Sequence, residues 1–209
     1  MTEQEARQWI GDRFGVSRET SLEQFAAILR DEATHQNLIS AASFDELWNR
    51  HFVDSAQLIP MASASGAADG VWLDVGTGAG MPGLVVALLI DRPVVLVEPR
   101  AKRADFLYRA AALLGIGRQV TTQHCSIEKY KPAKPAAIVS ARAVAELSQL
   151  IASTHHCTDS STIWLLPKGR AAQSEVEAAA AKWQGSFHVE PSITSADSGI
   201  VIAQGVRPR

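Results

Sequence analysis

The segment that most constrains this chain is Asp74-Val75-Gly76-Thr77-Gly78-Ala79-Gly80-Met81-Pro82-Gly83, which follows directly on the apolar run beginning at Val71. Glycines at alternate positions bend a chain tightly and let a ligand approach the backbone. Pro82 suits the first turn of a helix, where its missing N–H is harmless. Strand, glycine turn and helix in that order fit an open α/β sheet, whose ligands bind beyond the carboxyl ends of the strands at a switch point. Two readings of the turn compete. Gly78-x-Gly80-x-x-Gly83 matches the dinucleotide fingerprint literally, but late in the turn, with Met81 and Pro82 where the phosphate-binding helix should begin. Asp-x-Gly-x-Gly-x-Gly, with Asp74 at the strand end, suits a ligand that carries an ammonium and no pyrophosphate.

The rest of the chain repeats the rhythm. Val94–Val97 is a short β-branched run, and 101–114 is helical, with Phe106, Leu107, Ala110, Leu113 and Leu114 on one side. Further strands are expected at 120–125, 136–140, 162–166, 187–189 and 200–203, and further helices at 82–90, 143–152 and 175–183. This alternation predicts right-handed crossovers and a mostly parallel seven-stranded sheet covered on both faces. Residues 1–60 read instead as helical. Leu22, Phe25, Ala26 and Leu29 fall at helix spacing, and capping-box patterns occur at Thr20-Ser21-Leu22-Glu23 and Ser43-Phe44-Asp45-Glu46. Residues 61–70, small and polar, read as a flexible connector. The expected organisation is an N-terminal helical cap (1–60), a connector (61–70) and an α/β domain (71–209), forming one compact unit.

Composition narrows the class. Of 209 residues, 46% are hydrophobic and 20% charged, which supports a core and excludes wholesale disorder. The longest apolar stretch, Leu84 to Ile90, is far short of a membrane span, and Met1-Thr2-Glu3-Gln4-Glu5 lacks a secretory pattern. Cys125 and Cys157 are too few for a disulfide scaffold or a four-cysteine zinc site. His155-His156 lacks ligand spacing, so no metal site is assigned. A cytoplasmic, monomeric chain without membrane association is expected. The formal net charge of −2 excludes a global basic field. Locally, however, 98–142 carries nine Lys and Arg against three acids, while 1–60 carries five Arg against ten acids. Such a basic segment can bind phosphates.

In its second reading the glycine loop resembles motif I of the S-adenosylmethionine-dependent methyltransferases, and this reading is favoured over the dinucleotide one. Asp74 would then sit near the methionine ammonium. Glu98 closes the second strand and can accept from both ribose hydroxyls in either class of site. Methyl transfer from a sulfonium is an in-line displacement that depends mainly on orientation and exclusion of water. The fourth strand ends Val139-Ser140-Ala141-Arg142. It lacks the cysteine a C5-pyrimidine enzyme needs and the Asn/Asp-Pro-Pro-aromatic loop typical for exocyclic amines. Guanine N7 needs neither, because its lone pair already points outward. Arg142 can contact guanine O6 and N7 or a nearby phosphate. Cys125, at the end of the third strand, reads as a buried structural thiol. Leu47, His51, Asp54, Ser55 and Leu58 share one helical face, which either turns toward the ligand or holds a buried hydrogen-bond network.

The segments Asn37-Leu38-Ile39-Ser40, Arg50-His51-Phe52-Val53-Asp54-Ser55, the glycine loop, Lys102-Arg103-Ala104-Asp105-Phe106-Leu107, Ser126-Ile127-Glu128, Ser140-Ala141-Arg142-Ala143 and Pro167-Lys168-Gly169 occur in this order. Together they resemble the bacterial small-subunit ribosomal RNA methyltransferase G family, also called glucose-inhibited division protein B, from about residue 22 to 203. The resemblance implies a Rossmann-like S-adenosylmethionine-dependent methyltransferase fold. It implies transfer of a methyl group from S-adenosylmethionine to N7 of one guanine in 16S rRNA, on naked RNA or the small ribosomal subunit. Cofactor contacts carry over onto Gly76, Met81, Ile127, Glu128 and Arg142, with Ile127 and Glu128 along the adenine and Met81 near the ligand's other end. The loop chemistry adds Asp74, Gly78, Gly80 and Glu98. Lys102, Arg103, Lys168 and Arg170 are candidates for RNA phosphate contacts. Two other functions stay open on the residues. A small-molecule methyltransferase would show an apolar lid in place of the basic 98–142 segment. A non-catalytic nucleotide-binding module would bind ligand without turnover.

Overall fold

Successive side chains of each strand point to opposite faces of the sheet, and this divides the core in two. The computed structural model describes the backbone of residues 1–209 and every side chain except those of Ala41 and Ala42. Its seven strands are β1 (Trp72–Val75), β2 (Val94–Val97), β3 (Val120–Gln123), β4 (Ile138–Ala141), β5 (Ile163–Lys168), β6 (Trp183–Pro191) and β7 (Gly199–Pro208). They form one sheet in the order β3-β2-β1-β4-β5-β7-β6. Strands β1 to β5 are parallel, and β7 lies antiparallel between β5 and β6. Strands β1, β2 and β4 are buried along their whole length, as strands covered on both faces must be.

One face carries Trp72, Leu96, Ile138, Leu165 and Ile202. Against it pack α5 (Leu58–Ala64), α6 (Gly83–Leu89) and α7 (Ala101–Leu113), and α1 (Glu3–Phe14), α2 (Val16–Glu32) and α4 (Asp54–Ala56) extend the same core outward from these helices. The short α3 (Ala41–Phe44) precedes a π-helical turn, Trp48–Val53, which runs into α4. The other face carries Leu73, Val75, Val97, Trp164 and Leu166, covered by α8 (Leu147–Thr154) and α9 (Ala172–Ala180). The N-terminal helices therefore share one continuous core with the sheet: Phe25, Leu29 and Phe52 belong to the same cluster as Leu84 and Phe106. Burying that apolar face is what holds such short helices in place.

Several local expectations are corrected. The pattern at Thr20-Ser21-Leu22-Glu23 does not start a helix, because α2 begins at Val16. Thr20 and Ser21 instead donate back to the carbonyls of Val16 and Ser17, a mid-helix bond that hydroxyls also form. The Ser43 pattern likewise fails, since Ser40 caps α3 and accepts from Ser43 N–H. The complete capping box is at Thr2 and Glu5. The expected connector 61–70 is helical as far as Ala64, because Leu58, Ile59 and Ala62 anchor α5 in the core. The helix expected at 143–152 begins only at Leu147, with Glu146 as its cap. The last two strands are longer than their apolar centres, since exposed residues extend the antiparallel β6–β7 pair to Pro208.

Candidate functional site

The strand order reverses between β1 and β4, so the loops that leave their carboxyl ends diverge and open a crevice. The glycine turn follows β1, and Arg142 follows β4 directly. Gly76, Gly78 and Gly80 all have positive φ, at 65°, 58° and 91°. Two of these glycines are also sterically required. A Cβ on Gly80 would lie 2.6 Å from Leu84 Cδ1, and one on Gly76 would lie 2.7 Å from Val144 Cγ2 in the loop after β4. The β1 and β4 loops thus touch directly over Gly76.

Glu98 directly follows β2, with only 3% of its surface exposed. Its Oε2 accepts from Gly78 N–H at 2.9 Å and its Oε1 from Arg100 N–H at 3.0 Å. A carboxylate has about four lone-pair sites, so roughly two remain for hydroxyls. Ile127 is buried and Glu128 exposed on a 3₁₀ turn, Ile127–Lys129, that follows β3. A backbone and side-chain hydrogen bond at Glu128 and Ser126 lower the Glu128 carboxyl pKa. Arg103 is half-buried, and a Cβ on Gly78 would lie 3.5 Å from its Nη1, which puts this cation beside the glycine turn.

Two expected ligand residues have side chains buried within the fold. Asp74 is fully buried. Its Oδ2 accepts from Gly83 N–H at 2.9 Å and its Oδ1 from Ser140 Oγ at 2.7 Å. Burial pushes its pKa up to about 6. Its oxygens are engaged inside the fold, so Asp74 fastens the turn to β4 and to the start of α6. The Met81 side chain is also in the core, at 3% exposure, and any ligand contact there falls to its backbone. Gly80 is buried beneath the turn and shapes it from inside.

Beyond β4 and β5 lies a cavity of ≈ 580 Å³ lined by Asp54, Arg142, Val144, Lys168, Glu175 and Ser198 among others. Arg142 Nη2 donates to His51 Nδ1 at 2.9 Å, and its Nη1 lies 3.2 Å from Asp54 Oδ2 and 3.3 Å from the Arg50 carbonyl. Burial, with Arg142 and Arg50 adding to it, lowers the His51 pKa to about 4. His51 and Asp54 are therefore joined in a network rather than left on an open face. Asp54 Oδ1 accepts from Gln57 Nε2 at 3.0 Å and Thr194 Oγ1 at 3.1 Å. Gln57 also donates to Ser192 Oγ and accepts from Ile193 N–H, which latches the loop before β7 to the N-terminal helices. Ala143, next to Arg142, has φ 54°, a strained conformation for alanine.

The four cation candidates separate. Lys102 is exposed. Arg170 is 81% exposed and pairs with Asp197. Lys168 is enclosed: its Nζ donates to the Ala145 carbonyl and to Glu175 Oε2, both at 2.7 Å. That pair ties β5 to α9 at the cavity wall, so Lys168 is not an open phosphate contact. Sequence reading missed Glu175, Ser140, Gln57 and Thr194. Ser140 stands in the 140–143 segment without a role of its own, and each of the four has a partner distant in sequence: Leu147 for Glu175, Asp74 for Ser140, Ser192 for Gln57 and Asp54 for Thr194. Cys125 is half-buried, whereas Cys157 is buried. Among the described residues no helix is long and apolar enough to cross a membrane.

The profile of the rRNA small subunit methyltransferase G family matches residues 18–201. A ribosomal RNA small subunit methyltransferase G from Rhizorhabdus wittichii is 45% identical over 210 residues, spanning 100% of this chain and 95% of the relative. One from Zymomonas mobilis is 40% identical over 216 residues, spanning 100% and 96%. Among solved structures, a methyltransferase from Geobacter sulfurreducens superposes with TM-score 0.59 at 10% identity, covering 87% of this chain and 88% of that one. A TehB-like SAM-dependent methyltransferase from Corynebacterium glutamicum gives 0.55 at 12% identity, covering 88% and 97%. At such low identity these two likenesses concern the fold alone.

Proposed function

Because this chain belongs to the rRNA small subunit methyltransferase G family, we propose that it transfers a methyl group from S-adenosylmethionine to N7 of one guanine in 16S rRNA. It does so in the cytoplasm as a single chain. The observation that carries the reading is the position of Arg142. It stands at the switch point, between the glycine turn on one side and a cavity of ≈ 580 Å³ on the other.

The residues of the turn fit the proposed cofactor. Glu98 keeps acceptor lone pairs beside Gly78 after binding two backbone N–H groups, as a pair of ribose hydroxyls requires. Gly78, where an added Cβ would meet nothing closer than 3.5 Å, leaves the backbone open on that side, and Ile127 supplies an apolar surface for a flat base. Arg103 supplies a cation beside Gly78. S-adenosylmethionine, when bound, would supply a methyl group on a sulfonium; the N7 lone pair forms the new N–CH3 bond as the S–CH3 pair returns to sulfur, leaving a neutral thioether and a cationic base, so no proton has to be removed first.

The chain's own task is then orientation. Arg142 donates only, so it meets an acceptor edge such as guanine O6 or an RNA phosphate. Its side chain is 20% exposed and that of Asp54 14%, so both act where solvent screening is reduced. The Arg142–Glu146 loop closes over Gly76 through Val144 and limits water at the junction of the two subsites. Lys168 and Glu175 shape the far wall of the cavity.

The test is transfer of labelled methyl from S-adenosylmethionine to small ribosomal subunits from a strain lacking the modification, with modified subunits and naked 16S rRNA alongside. Nucleoside mass spectrometry should identify 7-methylguanosine only on substrates that lack it. Arg142→Ala should lower the rate by about 10²-fold or more while circular dichroism stays native. Label at any atom other than N7, or wild-type turnover by Arg142→Ala, would overturn the corresponding part of the reading.

A further inference from the structure

We propose that His51 is a positioning residue for the methyl transfer, holding the Arg142 guanidinium in the cavity by accepting its hydrogen bond through Nδ1. The inference rests on the preceding reading, in which Arg142 meets the acceptor. Three groups of the N-terminal segment converge on this one side chain. His51 Nδ1 is 2.9 Å from Nη2, while Asp54 Oδ2 and the Arg50 carbonyl are 3.2 and 3.3 Å from Nη1. All three belong to the π turn Trp48–Val53 or to the residue that follows it. The turn is fixed from outside by Glu3, whose carboxylate accepts from Trp48 and Asn49 N–H, both at 2.9 Å. π turns are uncommon and concentrate at functional sites.

The direction of the hydrogen bond settles the tautomer. A guanidinium carries donors and no acceptor, so Nδ1 must present its lone pair, and the imidazole proton resides on Nε2. His51 is held neutral, with its pKa lowered to about 4 by burial and by the neighbouring Arg142 and Arg50. Nε2 is buried, and it has no hydrogen-bond partner among the described residues. An unpaired buried N–H costs the fold free energy. The imidazole is thus retained at a stability cost, and what it provides is the acceptor at Nδ1.

Asp54 completes the arrangement. One oxygen pairs with Arg142, and the other is held by Gln57 and Thr194. Arg142 itself directly follows β4, beside a strained Ala143 at φ 54°. Without Nδ1, Nη2 loses its only partner among the described residues, and the planar fork is free to turn about the Nη1 contacts.

The experiment compares kcat, KM and Tm for His51→Leu, His51→Asn and Arg142→Lys, with the double variant of His51→Leu and Arg142→Lys, on unmodified small subunits. His51→Leu removes the acceptor and also the unpaired N–H. It should lower kcat by about 10²-fold, the cost of a misplacement near 1 Å, while Tm stays level or rises. His51→Asn places an amide oxygen near the former Nδ1 and should recover most of the loss. The double variant should be no slower than Arg142→Lys alone, because both changes act through one guanidinium. Wild-type kcat in folded His51→Leu overturns the proposal. So do losses that multiply in the double variant, or a loss that follows a falling Tm and is not recovered by Asn. If wild-type protein methylates no ribosomal substrate, the preceding reading fails, and ¹⁵N NMR of the His51 ring then decides this one. A neutral Nε2–H tautomer whose Nδ1 resonance moves in Arg142→Lys supports the contact, and an Nδ1–H tautomer overturns it.

Discussion

Ser140 Oγ donates to Asp74 Oδ1 at 2.7 Å, between residues that pair directly across β4 and β1. Ser140 also accepts from Trp72 Nε1 at 2.8 Å, and Asp74 Oδ2 accepts from the Gly83 N–H that opens α6. Two strands and the first turn of a helix are thereby joined at one buried carboxylate. The glycine turn is suspended between these fixed points, so its shape is set from inside the fold before any ligand arrives.

That carboxylate makes stability depend on pH. Burial raises the Asp74 pKa from 3.8 to about 6. The folded chain therefore keeps the proton to higher pH than the unfolded chain. The stability contribution is fully present below about pH 4, falls as pH rises to about 6, and is lost above that, on the order of 3 kcal/mol in all. Asp74→Asn removes the titrating group. The unfolding free energy of wild type minus that of Asp74→Asn, from denaturant titrations at pH 4 to 7, should decrease through this window. A constant difference would refute the assignment.

Glycines of the turn should separate by function. A Cβ on Gly83 would lie 2.8 Å from Asp74 Oδ2 and would press on Leu96, so Gly83→Ala must displace the carboxylate or the core. It should cost about 3 kcal/mol by overpacking and a broken buried hydrogen bond. Gly78→Ala meets nothing closer than 3.5 Å and bears only the penalty of its φ of 58°, about 1 kcal/mol. Thermal unfolding should rank them so, while calorimetry with S-adenosylmethionine should show weakened binding already in folded Gly78→Ala.

The Lys168–Glu175 pair is asymmetric. Both side chains are largely enclosed, at 10% and 20% exposure, and Glu175 Oε2 also accepts from Leu147 N–H at the start of α8. Glu175→Ala leaves an enclosed cation uncompensated and frees that N–H, and should cost about 3 kcal/mol. Lys168→Met leaves the carboxylate without its cation, but Glu175 is the less enclosed partner and keeps the Leu147 N–H as a donor, so the cost should be smaller, about 2 kcal/mol. Equal losses in Tm for the two variants would contradict this account of the cavity wall.

Lys102 is exposed on the first turn of α7, two residues after Arg100. If it meets an RNA phosphate, Lys102→Ala should weaken binding to the small subunit and reduce the slope of log K against log salt by about 1. Lys134 is exposed in the loop before β4, and Lys134→Ala serves as a control that should leave the slope unchanged. An unaltered slope in Lys102→Ala would remove this residue from the RNA contact surface.

Much of the scaffold can be read without coordinates. The runs expected at 71–75, 94–97 and 162–166 overlap strands that start within one residue of them, and the glycine turn with Glu98 marks the ligand end of the sheet. These signals are local: β-branched runs, alternating glycines and a proline at a helix start act within a few residues of themselves. Capping patterns were less reliable, since a hydroxyl three residues before a glutamate also fits a mid-helix back-bond, as at Thr20.

By its sequence alone, this protein is determined to be an α/β methyltransferase-type chain with a glycine turn, an acidic residue closing the second strand and an arginine after the fourth. The residue order and spacing suffice because each signal depends on its own neighbourhood. What those residues do was decided only by the tertiary structure. Asp74 turns inward to Ser140 and Gly83, Lys168 is enclosed by Glu175, and Arg142 is gripped by His51 from a helix 91 residues upstream. The physical reason is that a carboxylate or a cation takes its role from its burial and its partners, and the partners are brought together by the core on which the N-terminal helices and the sheet fold as one.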